Sequence, residues 1–438
     1  MVSIPRPGRS VLNQDIDVSR MPRRLRGFAI VFLLALGVRL ILLFGLHRYE
    51  IGRSEAVRIA ISLAQHRAFA DPYAIPTGPT AHTGPIYPAL LAPIYALLGD
   101  TPAADHARFA LNAAAAAAGY ALLPLVGEAL GLGWQVGMLA GLAGALVPLH
   151  HWPECLGEFE NTWTGLFLEL SLLQFLRFLR TGYFVLRGAL AGGLVWGIGV
   201  LLSPTVAPVL AGLIAIAWWK LRPGARTMIR WNMTLLATIL VLMAPWIARN
   251  WVRQLGLTFV RDDFGLELFV SNHDGSTPVA EINYASPYWR DVHPHVSLAA
   301  ALELKRVGER AFERRKFHEA VEWIRAHPRR FALLTVQRIA RFWFTHVPRF
   351  AWAFWAVTIL AIAGWVRLLA QARFAAAVSA AVLCGYSAAF SVIESSVRYQ
   401  HPIWWCLVLL STWMAVETLR KLFPAFLADA PRHPVLQA

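Results

Sequence analysis

Long apolar stretches, separated by short polar connections, run through most of the 438-residue chain. A helix needs about 20 predominantly apolar residues to cross a bilayer. Stretches of roughly this length lie at 28–46, 107–126, 134–149, 161–179, 184–202, 205–219, 231–250, 351–370, 374–393 and 402–419. The pattern therefore predicts an all-α polytopic membrane protein with about ten transmembrane helices.

Basic residues indicate how these helices are oriented, because Lys and Arg collect on the cytoplasmic side of a membrane. MPRRLRG precedes the first span, and later connections are basic at 177–180, 218–226, 365–373 and 417–421. All of them fall on the cytoplasmic side only if the apolar segment IYPALLAPIYALLG (86–99) does not cross. We therefore predict that 86–99 is a short interfacial or re-entrant helix in the first external loop.

These assignments divide the chain into five parts. They are a disordered cytoplasmic tail 1–25, an N-terminal transmembrane module 26–250 with external loop 47–104, a small α-rich extracytoplasmic region 251–335, C-terminal transmembrane helices 336–421 and a tail 422–438. Within the extracytoplasmic region, 306–330 has helical spacing and mixed charge, which favours a solvated helix face.

Composition restricts the class of protein further. The chain is 57% hydrophobic and 15% charged, with a mean hydropathy of +0.49, which excludes a soluble globular domain. The net charge of +15 would suggest nucleic acid in a soluble protein. Here many basic residues flank apolar spans, so we predict no nucleic-acid partner. Cys155, Cys384 and Cys406 form neither a CxxC pair nor a disulfide framework.

The predicted topology gathers most polar loop residues on one face of the membrane. The loops concerned are 47–84, 150–162, 261–295 and 394–401. Segments far apart in sequence would thus supply, at one place, most of the residues able to do chemistry. This convergence indicates a functional site just outside the hydrocarbon.

The first of these loops carries Glu50 and Glu55 directly after a span. Ser54 is suited to cap a helix, and the spacing over 54–65 predicts an amphipathic helix at the membrane surface. Glu55 and Arg58 lie one turn apart, so a plain i, i+3 ion pair competes with a chemical role. For Glu50 the competing interpretation is simple solvation at headgroup depth.

The next polar segments contain histidines and further acids. His82 could donate a hydrogen bond to a phosphate or ligate a metal, although a lone histidine more often does neither. The second loop offers a His/Glu cluster: His150, His151, Glu154, Glu158 and Glu160. Such a cluster can bind a divalent metal, but its spacing matches no specific zinc motif. Glu160 also begins a span, where a helix N-terminus accommodates an anion.

The last polar loop, VIESSVRYQHP (392–402), combines an acid with an arginine. Glu394 and Arg398 have i, i+4 spacing, so a helical ion pair is one interpretation. Arg398 also falls at headgroup depth, where an arginine suits a lipid phosphate. His401 has the same alternatives as His82.

The order of these features resembles that of the GT-C integral-membrane glycosyltransferases that use lipid-phosphate sugars. The likeness is to the protein mannosyltransferase and aminoarabinose transferase branch, of the family 39 and 83 types, and it covers about 28–420. It rests on GRSEAVRIAISLA after the first span, PTAH-x-x-PIYP (79–88), the acidic loop after the third span, RDDFGLELFVSN (261–272), HPRRFALLTVQRIARFWF (327–344) and E-x-x-x-RY-x-x-P (394–402).

The resemblance implies an inverting hexosyl or pentosyl transfer from a polyprenyl-phosphate sugar, at the outer face of a bacterial inner membrane. It makes 26–250 the catalytic module. Such enzymes keep an acidic base in the first external loop, which Glu55 matches best and Glu50 nearly as well. The second-loop acid of the family corresponds to Glu160. The acceptor, whether lipid, polysaccharide or protein, stays open.

The same resemblance suggests which residues bind substrate. A phosphate leaving group needs cationic neighbours more than a general acid, and an attacking hydroxyl needs a base. The residues predicted to contact substrate are Arg58, His82, Glu158, Arg398, Tyr399 and His401. We predict no definite cofactor, although the His/Glu cluster leaves room for a divalent metal.

Two other classes of protein compete with this hypothesis. A lipid or sugar transporter would place polar residues along the bundle at mid-membrane depth. Here Arg39 and Glu169 are the main charges at that depth, and Arg39 is expected to face protein or to snorkel outward. A non-enzymatic scaffold would not need acids and arginines to converge in its external loops.

Single cysteines placed within 50–55 and within 394–401 are expected to react with a membrane-impermeant thiol reagent from the same, extracytoplasmic side. The reason is that both loops follow spans directed outward. Labelling of intact cells and of inverted vesicles measures this, with a cysteine in 365–373 as the cytoplasmic control. Labelling of the two loops from opposite faces would contradict the topology.

Overall fold

A computed structural model describes residues 21–181, 183–220, 224–345 and 350–423 of the chain. Most of the two predicted tails, 1–20 and 424–438, therefore lies outside the described residues. The described residues contain no β-sheet, only isolated bridges between Ala70 and Pro79 and between Val279 and Ser395. The all-α class is confirmed.

The N-terminal part contains ten helices. They are α1 (Met21–Leu40), α2 (Glu55–His66), α3 (Ile86–Leu98), α4 (Pro102–Ala129), α5 (Trp134–Leu146), α6 (His151–Cys155), α7 (Asn161–Thr181), α8 (Leu186–Leu202), α9 (Val206–Lys220) and α10 (Ala225–Val252). A π-helical turn, Ile41–Gly45, extends α1.

The other helices of the described ranges lie in the segment 251–335, which is predicted to be extracytoplasmic and is called the extracytoplasmic region below, and in the C-terminal part. They are α11 (Phe264–Ser271), α12 (Ala280–Tyr284), α13 (Pro287–Val292), α14 (Leu298–Val307), α15 (Glu309–Ala326), α16 (Pro328–Trp343), α17 (Ala351–Gln371), α18 (Arg373–Ser387) and α19 (Val397–Leu422). A short 3-10 turn, Ala388–Ser391, follows α18.

Each of the ten predicted spans coincides with a helix. Within the described ranges, six helical segments are long and apolar enough to cross a membrane: Arg24–Gly45, Pro102–Ala129, Ala225–Val252, Ala351–Gln371, Arg373–Ser391 and Val397–Leu422. Shorter apolar helices lie at Ile86–Leu98, Trp134–Leu146, Leu186–Leu202 and Val206–Trp219. The chain is a multi-pass membrane protein.

The helix α19 lies at the centre of the bundle. Every residue from 400 to 411 is buried, and α17, α5 and α7 pack around it. A helix that is apolar on all sides is suited to such a position because it has no face that requires water. The N-terminal end of α19 therefore lies in the middle of the face that the sequence predicts to be external.

The first external loop folds as a pair of helices. The Ser54 side chain caps α2 by accepting a hydrogen bond from Val57 N at 3.5 Å, as the sequence predicts. The buried face of α2 packs on α3 through Ala56 and Val57 against Tyr87 and Leu91. With 13 residues, α3 is roughly 20 Å long, shorter than a hydrocarbon core of about 30 Å. The interfacial placement of 86–99 stays a prediction.

Two local predictions are wrong. The segment 306–330 is not one helix, because Gly308 has a φ of 85° that separates α14 from α15. Its charged residues do not all face solvent, since Glu309 and Glu313 are buried. Pro402 does not start the last span, which begins at Val397.

Arg39, the mid-membrane charge of the first span, faces protein and is fully buried. Its Nη2 lies 2.7 Å from Glu154 Oε2. The guanidinium also donates to the carbonyl oxygens of Gly144 and Ala145, at 3.0 and 3.1 Å. Tyr120 OH donates to Glu154 Oε1 at 2.6 Å. Since a charge in hydrocarbon requires a partner, this network joins α1 to α4, α5 and α6.

Arg39→Met and Glu154→Gln are each expected to lower the free energy of unfolding by about 3–5 kcal/mol, because each leaves a buried charge unpaired. The double variant should recover much of that loss. Thermal unfolding in detergent, analysed as a double-mutant cycle, measures the effect. Arg24→Met is the control, since its ion pair with Glu128 is part-exposed and should contribute about 1 kcal/mol or less. Additive losses in the double variant would contradict a coupled pair.

Candidate functional site

A cavity of about 720 Å³ opens beside the outer end of α19. The four polar loops of the sequence all line it, through Gly52, Arg53, Ser54, Glu55, His82, Thr83, Trp152, Glu158, Phe159, Glu160, Asn161, Arg261, Asp263, Phe264, Glu267, Tyr284, Trp289, His293, His295, Arg398 and Tyr399. The remaining lining residues are Ser203, Pro204, Thr205, Tyr386, Ala389, Phe390 and Ile393. The volume and the mixture of apolar and polar groups are those of a small-molecule site.

Glu55 enters the cavity from the first turn of α2. It pairs with His295 of the extracytoplasmic region rather than with Arg58, and His295 Nδ1 lies 2.9 Å from Glu55 Oε1. Burial by itself would raise the pKa of Glu55, but the hydrogen bond and charge of His295 hold that pKa well below its usual range. The hydrogen bond to Glu55 in turn raises the pKa of His295.

His82 lies deep in the cavity wall, on the loop that connects α2 and α3. Its Nδ1 is 3.3 Å from Tyr73 OH, and burial lowers its pKa. His293 is also buried, and burial lowers its pKa to about 3. Both imidazoles are therefore neutral near pH 7 and can accept or donate a hydrogen bond without adding charge.

One turn of α15 holds two walls of the cavity together. Glu309 accepts hydrogen bonds from Thr80 Oγ1 and, at 2.6 Å, from Ala81 N, which fixes the loop that carries His82. Glu313 accepts from Leu266 N at 2.8 Å, in the first turn of α11. The extracytoplasmic region thus positions residues of the first loop as well as its own.

The second loop contributes two acids, Glu158 and Glu160. The Glu158 carboxylate packs directly on Gly52, where a side chain would overlap it, and burial raises the pKa of Glu158. Glu160 Oε1 lies 3.2 Å from Arg261 Nη1. Arg261 Nη2 also pairs with Asp263, so two carboxylates pair with this one guanidinium.

Three arginines line the cavity, and within the described part of the chain only Arg398 among them forms no salt bridge with a carboxylate. Arg53 pairs with Asp105 at 2.8 Å and with Asp100 at 2.6 Å. Arg398 instead bonds to the hydroxyls of Tyr284 and Tyr399, at 3.0 and 2.9 Å. Its guanidinium lies 4.0 Å from the ring centroid of Phe159.

Arg398 is therefore the cation available to a bound anion. The predicted helical pair between Glu394 and Arg398 is wrong, because Glu394 precedes α19 and accepts from Asn283 Nδ2 at 2.7 Å. The buried Nε of Arg398 has no hydrogen-bond partner among the described residues. An arginine that lines the cavity and is held by tyrosine hydroxyls and an aromatic ring has the chemistry to bind a phosphate.

The predicted site residues fall into two groups. Glu55, His82, Glu158, Glu160, Arg398 and Tyr399 line the cavity. Glu50 is exposed to solvent and Arg58 donates its Nε to Arg53 O at 3.2 Å, so neither lies at the cavity wall. His401 is buried within the bundle, with Nε2 3.2 Å from Thr162 Oγ1.

The sequence analysis did not identify the residues that the extracytoplasmic region supplies. Among them are His295, Trp289 and Glu267. Burial, together with the charge of Asp263, raises the pKa of Glu267 to about 8. The loop 261–295, which is predicted to lie beside the other polar loops, contains HPH at 293–295 and several acids at 261–267. That cluster is the only signal in the sequence that could have pointed to them.

The predicted His/Glu cluster does not come together as a group in the structure. Throughout the described ranges, no group of three or more His, Cys, Asp or Glu side chains is arranged to hold a metal ion. The predicted His/Glu cluster is dispersed: His150 packs on Trp404, Glu154 pairs with Arg39 and Glu160 pairs with Arg261.

Glu309→Gln is expected to become more stable relative to the wild type as the pH rises. Burial raises the pKa of Glu309 to about 8 from an ordinary value of 4.5. Between about pH 4.5 and 8 the folded protein therefore keeps a proton that the unfolded chain has released. The wild type loses stability as the pH rises through this range, and the loss levels off above about pH 8. A glutamine can still accept from Ala81 N and donate to Thr80 Oγ1.

The melting temperatures of wild type and variant, compared from pH 5 to 8.5, measure this effect. Glu322→Gln, at an exposed position of the same helix, is the control and should show a constant difference. A Glu309→Gln difference that does not change with pH would contradict the buried, protonated state.

Comparison with known proteins adds evidence on the fold. No protein-family model and no curated protein sequence matches the chain. Its structure is similar to the archaeal oligosaccharyltransferase AglB from Archaeoglobus fulgidus in complex with an inhibitory peptide and a dolichol-phosphate, with a TM-score of 0.55 and 16% identity over 94% of this chain. The Archaeoglobus fulgidus oligosaccharyltransferase in the apo form gives a TM-score of 0.59 and 16% identity, also over 94% of this chain.

A third structure of the Archaeoglobus fulgidus enzyme, in complex with Zn and sulfate, gives a TM-score of 0.51 and 13% identity over 93% of this chain. The chain spans about half of each matched structure, 52% in the first and third and 53% in the second. Nearly the whole chain therefore takes the GT-C fold of these membrane proteins.

Proposed function

We propose that this protein is a membrane glycosyltransferase. It moves a hexose or pentose from a polyprenyl-phosphate donor to an acceptor hydroxyl, with inversion at the anomeric carbon. The reaction takes place at the extracytoplasmic face of a bacterial inner membrane. Within the GT-C fold, the sequence motifs favour the protein mannosyltransferase and aminoarabinose transferase branch.

The observation that carries this proposal is the charge pattern of the cavity. Arg398 is the lining arginine without a carboxylate partner, and it bonds to tyrosine hydroxyls at the outer end of α19. A lipid phosphate lies at this depth, and its sugar would extend into the cavity. A buried cation without a counter-ion is costly, so a bound anion stabilises this arrangement.

The same cavity holds a base for the acceptor. Glu55 and His295 form a pair at the cavity wall, and an acceptor hydroxyl needs such a group because it is a poor nucleophile. The phosphate leaving group is stable as an anion and needs only the cation. The arrangement therefore separates the two tasks, with proton removal at Glu55 and His295 and phosphate binding at Arg398.

The matched structures support the class of donor. The archaeal oligosaccharyltransferase was solved with a dolichol-phosphate, which is a lipid phosphate of the kind proposed here. The part of the cavity formed by 261–295 belongs to the extracytoplasmic region, and we assign acceptor binding to it. Aromatic rings such as Trp289 line that side and suit the faces of sugar rings.

Glu55→Gln and Arg398→Gln are expected to abolish most sugar transfer. Loss of a base costs about 10²–10⁴-fold in rate, and loss of a group that stabilises the leaving anion costs about 10²–10³-fold. The assay follows labelled sugar from undecaprenyl-phosphate donors, a panel of hexoses and pentoses, into membrane acceptors in vesicles that contain the protein.

Glu50→Gln is the matched control, since Glu50 lies in the same loop but outside the cavity, and it should retain near-full turnover. A transporter would move the donor across the vesicle membrane without consuming it. Wild-type vesicles that translocate these donors but release no polyprenyl phosphate would overturn the proposal in favour of transport.

A further inference from the structure

His295 lines the cavity beside Glu55, a contact that the sequence did not indicate. It lies after α13 and reaches Glu55 across the boundary between the extracytoplasmic region and the first loop, with Nδ1 2.9 Å from Oε1. Both side chains line the cavity. Neither is fully buried, because 29% of the His295 side chain and 13% of the Glu55 side chain remain exposed. The pair is thus open to a bound substrate.

The carboxylate determines which ring nitrogen can react. Nδ1 lies 2.9 Å from Glu55 Oε1, and the negative charge of that carboxylate favours a proton on Nδ1, which leaves the lone pair of the neutral imidazole on Nε2. Nε2 is on the opposite edge of the ring, away from Glu55. This is the arrangement in which an acid orients a histidine and stabilises the imidazolium that forms when Nε2 takes a proton.

The charges around the pair make the imidazole the better base of the two. Burial acts to raise the pKa of Glu55, but the contact with His295 and its charge lower that pKa by more, so the carboxylate binds a proton weakly. The hydrogen bond to Glu55 and the charge of Glu158 raise the pKa of His295, whereas burial and Arg58 lower it. Trp289 and His293 pack near the ring, with centroids 6.3 Å away.

We infer that His295 Nε2 is the general base of the transfer and that Glu55 is the residue that orients it. This inference rests on the proposed function. As the acceptor oxygen forms its bond to the anomeric carbon, its proton moves to Nε2. The bond between that carbon and the phosphate oxygen breaks, and its electron pair leaves with the lipid phosphate. The imidazolium then returns the proton to water at the open side of the cavity.

The test compares His295→Ala, Glu55→Gln and wild type in the vesicle assay, with and without added imidazole. We expect His295→Ala to be about 10²–10⁴-fold slower, and imidazole to restore part of the rate because it can occupy the space of the missing ring. Imidazole should not restore Glu55→Gln. His318→Ala, at an exposed position of α15, is the control and should match the wild type.

The pH profile gives a second measurement that does not depend on the His295 variant being folded. Wild-type turnover should fall as the pH drops through the pKa of His295, which lies above the ordinary 6.5. In Glu55→Gln the residual activity should fall at a lower pH, because the imidazolium has lost the carboxylate that stabilises it.

Two results would overturn the assignment of His295. One is His295→Ala turnover within about threefold of the wild type, or a loss that imidazole does not restore. The other is a Glu55→Gln variant that is inactive at every pH, which would make Glu55 the base. Either result leaves the proposed glycosyl transfer intact as long as the wild type transfers sugar and Arg398→Gln does not.

Discussion

The buried ion pair between Arg39 and Glu154 joins the two helices that lead into the first and second polar loops. Arg39 lies near the end of α1, which leads into the loop of Glu55, and Glu154 lies in α6, which opens the loop of Glu160. A charge surrounded by hydrocarbon has to be paired. The same pair that satisfies this requirement ties the end of α1 to α6, and so connects the starts of the two loops.

The cavity follows the same rule of pairing, with one exception. Glu160 and Asp263 neutralise Arg261, and Asp100 and Asp105 neutralise Arg53. Arg398 is held by hydroxyls and by an aromatic face instead. This difference among the lining arginines is the basis for the proposal that Arg398 binds the phosphate of the donor.

The region 251–335 also positions residues in other parts of the chain. Its helix α15 fixes the loop of His82 through Glu309 and the start of α11 through Glu313. The sequence analysis interpreted this charged segment as a solvated helix face, because single-sequence periodicity does not distinguish a glutamate that faces water from one that accepts buried backbone hydrogen bonds. Two carboxyl groups thus connect parts of the chain that appear unrelated in the sequence.

The positions of the spans, the capped helix at Ser54 and the set of polar loops could be predicted from the sequence alone. Each depends on local properties, namely the length of an apolar run, a helix period or a capping residue, which neighbouring residues decide among themselves. Only the tertiary structure decided that Glu55 meets His295, that Glu50 and Arg58 stay outside the cavity and that Arg398 has no carboxylate partner. These outcomes depend on which residues distant in sequence come within a few ångströms, and hydrogen bonds and ion pairs lose their strength beyond that distance.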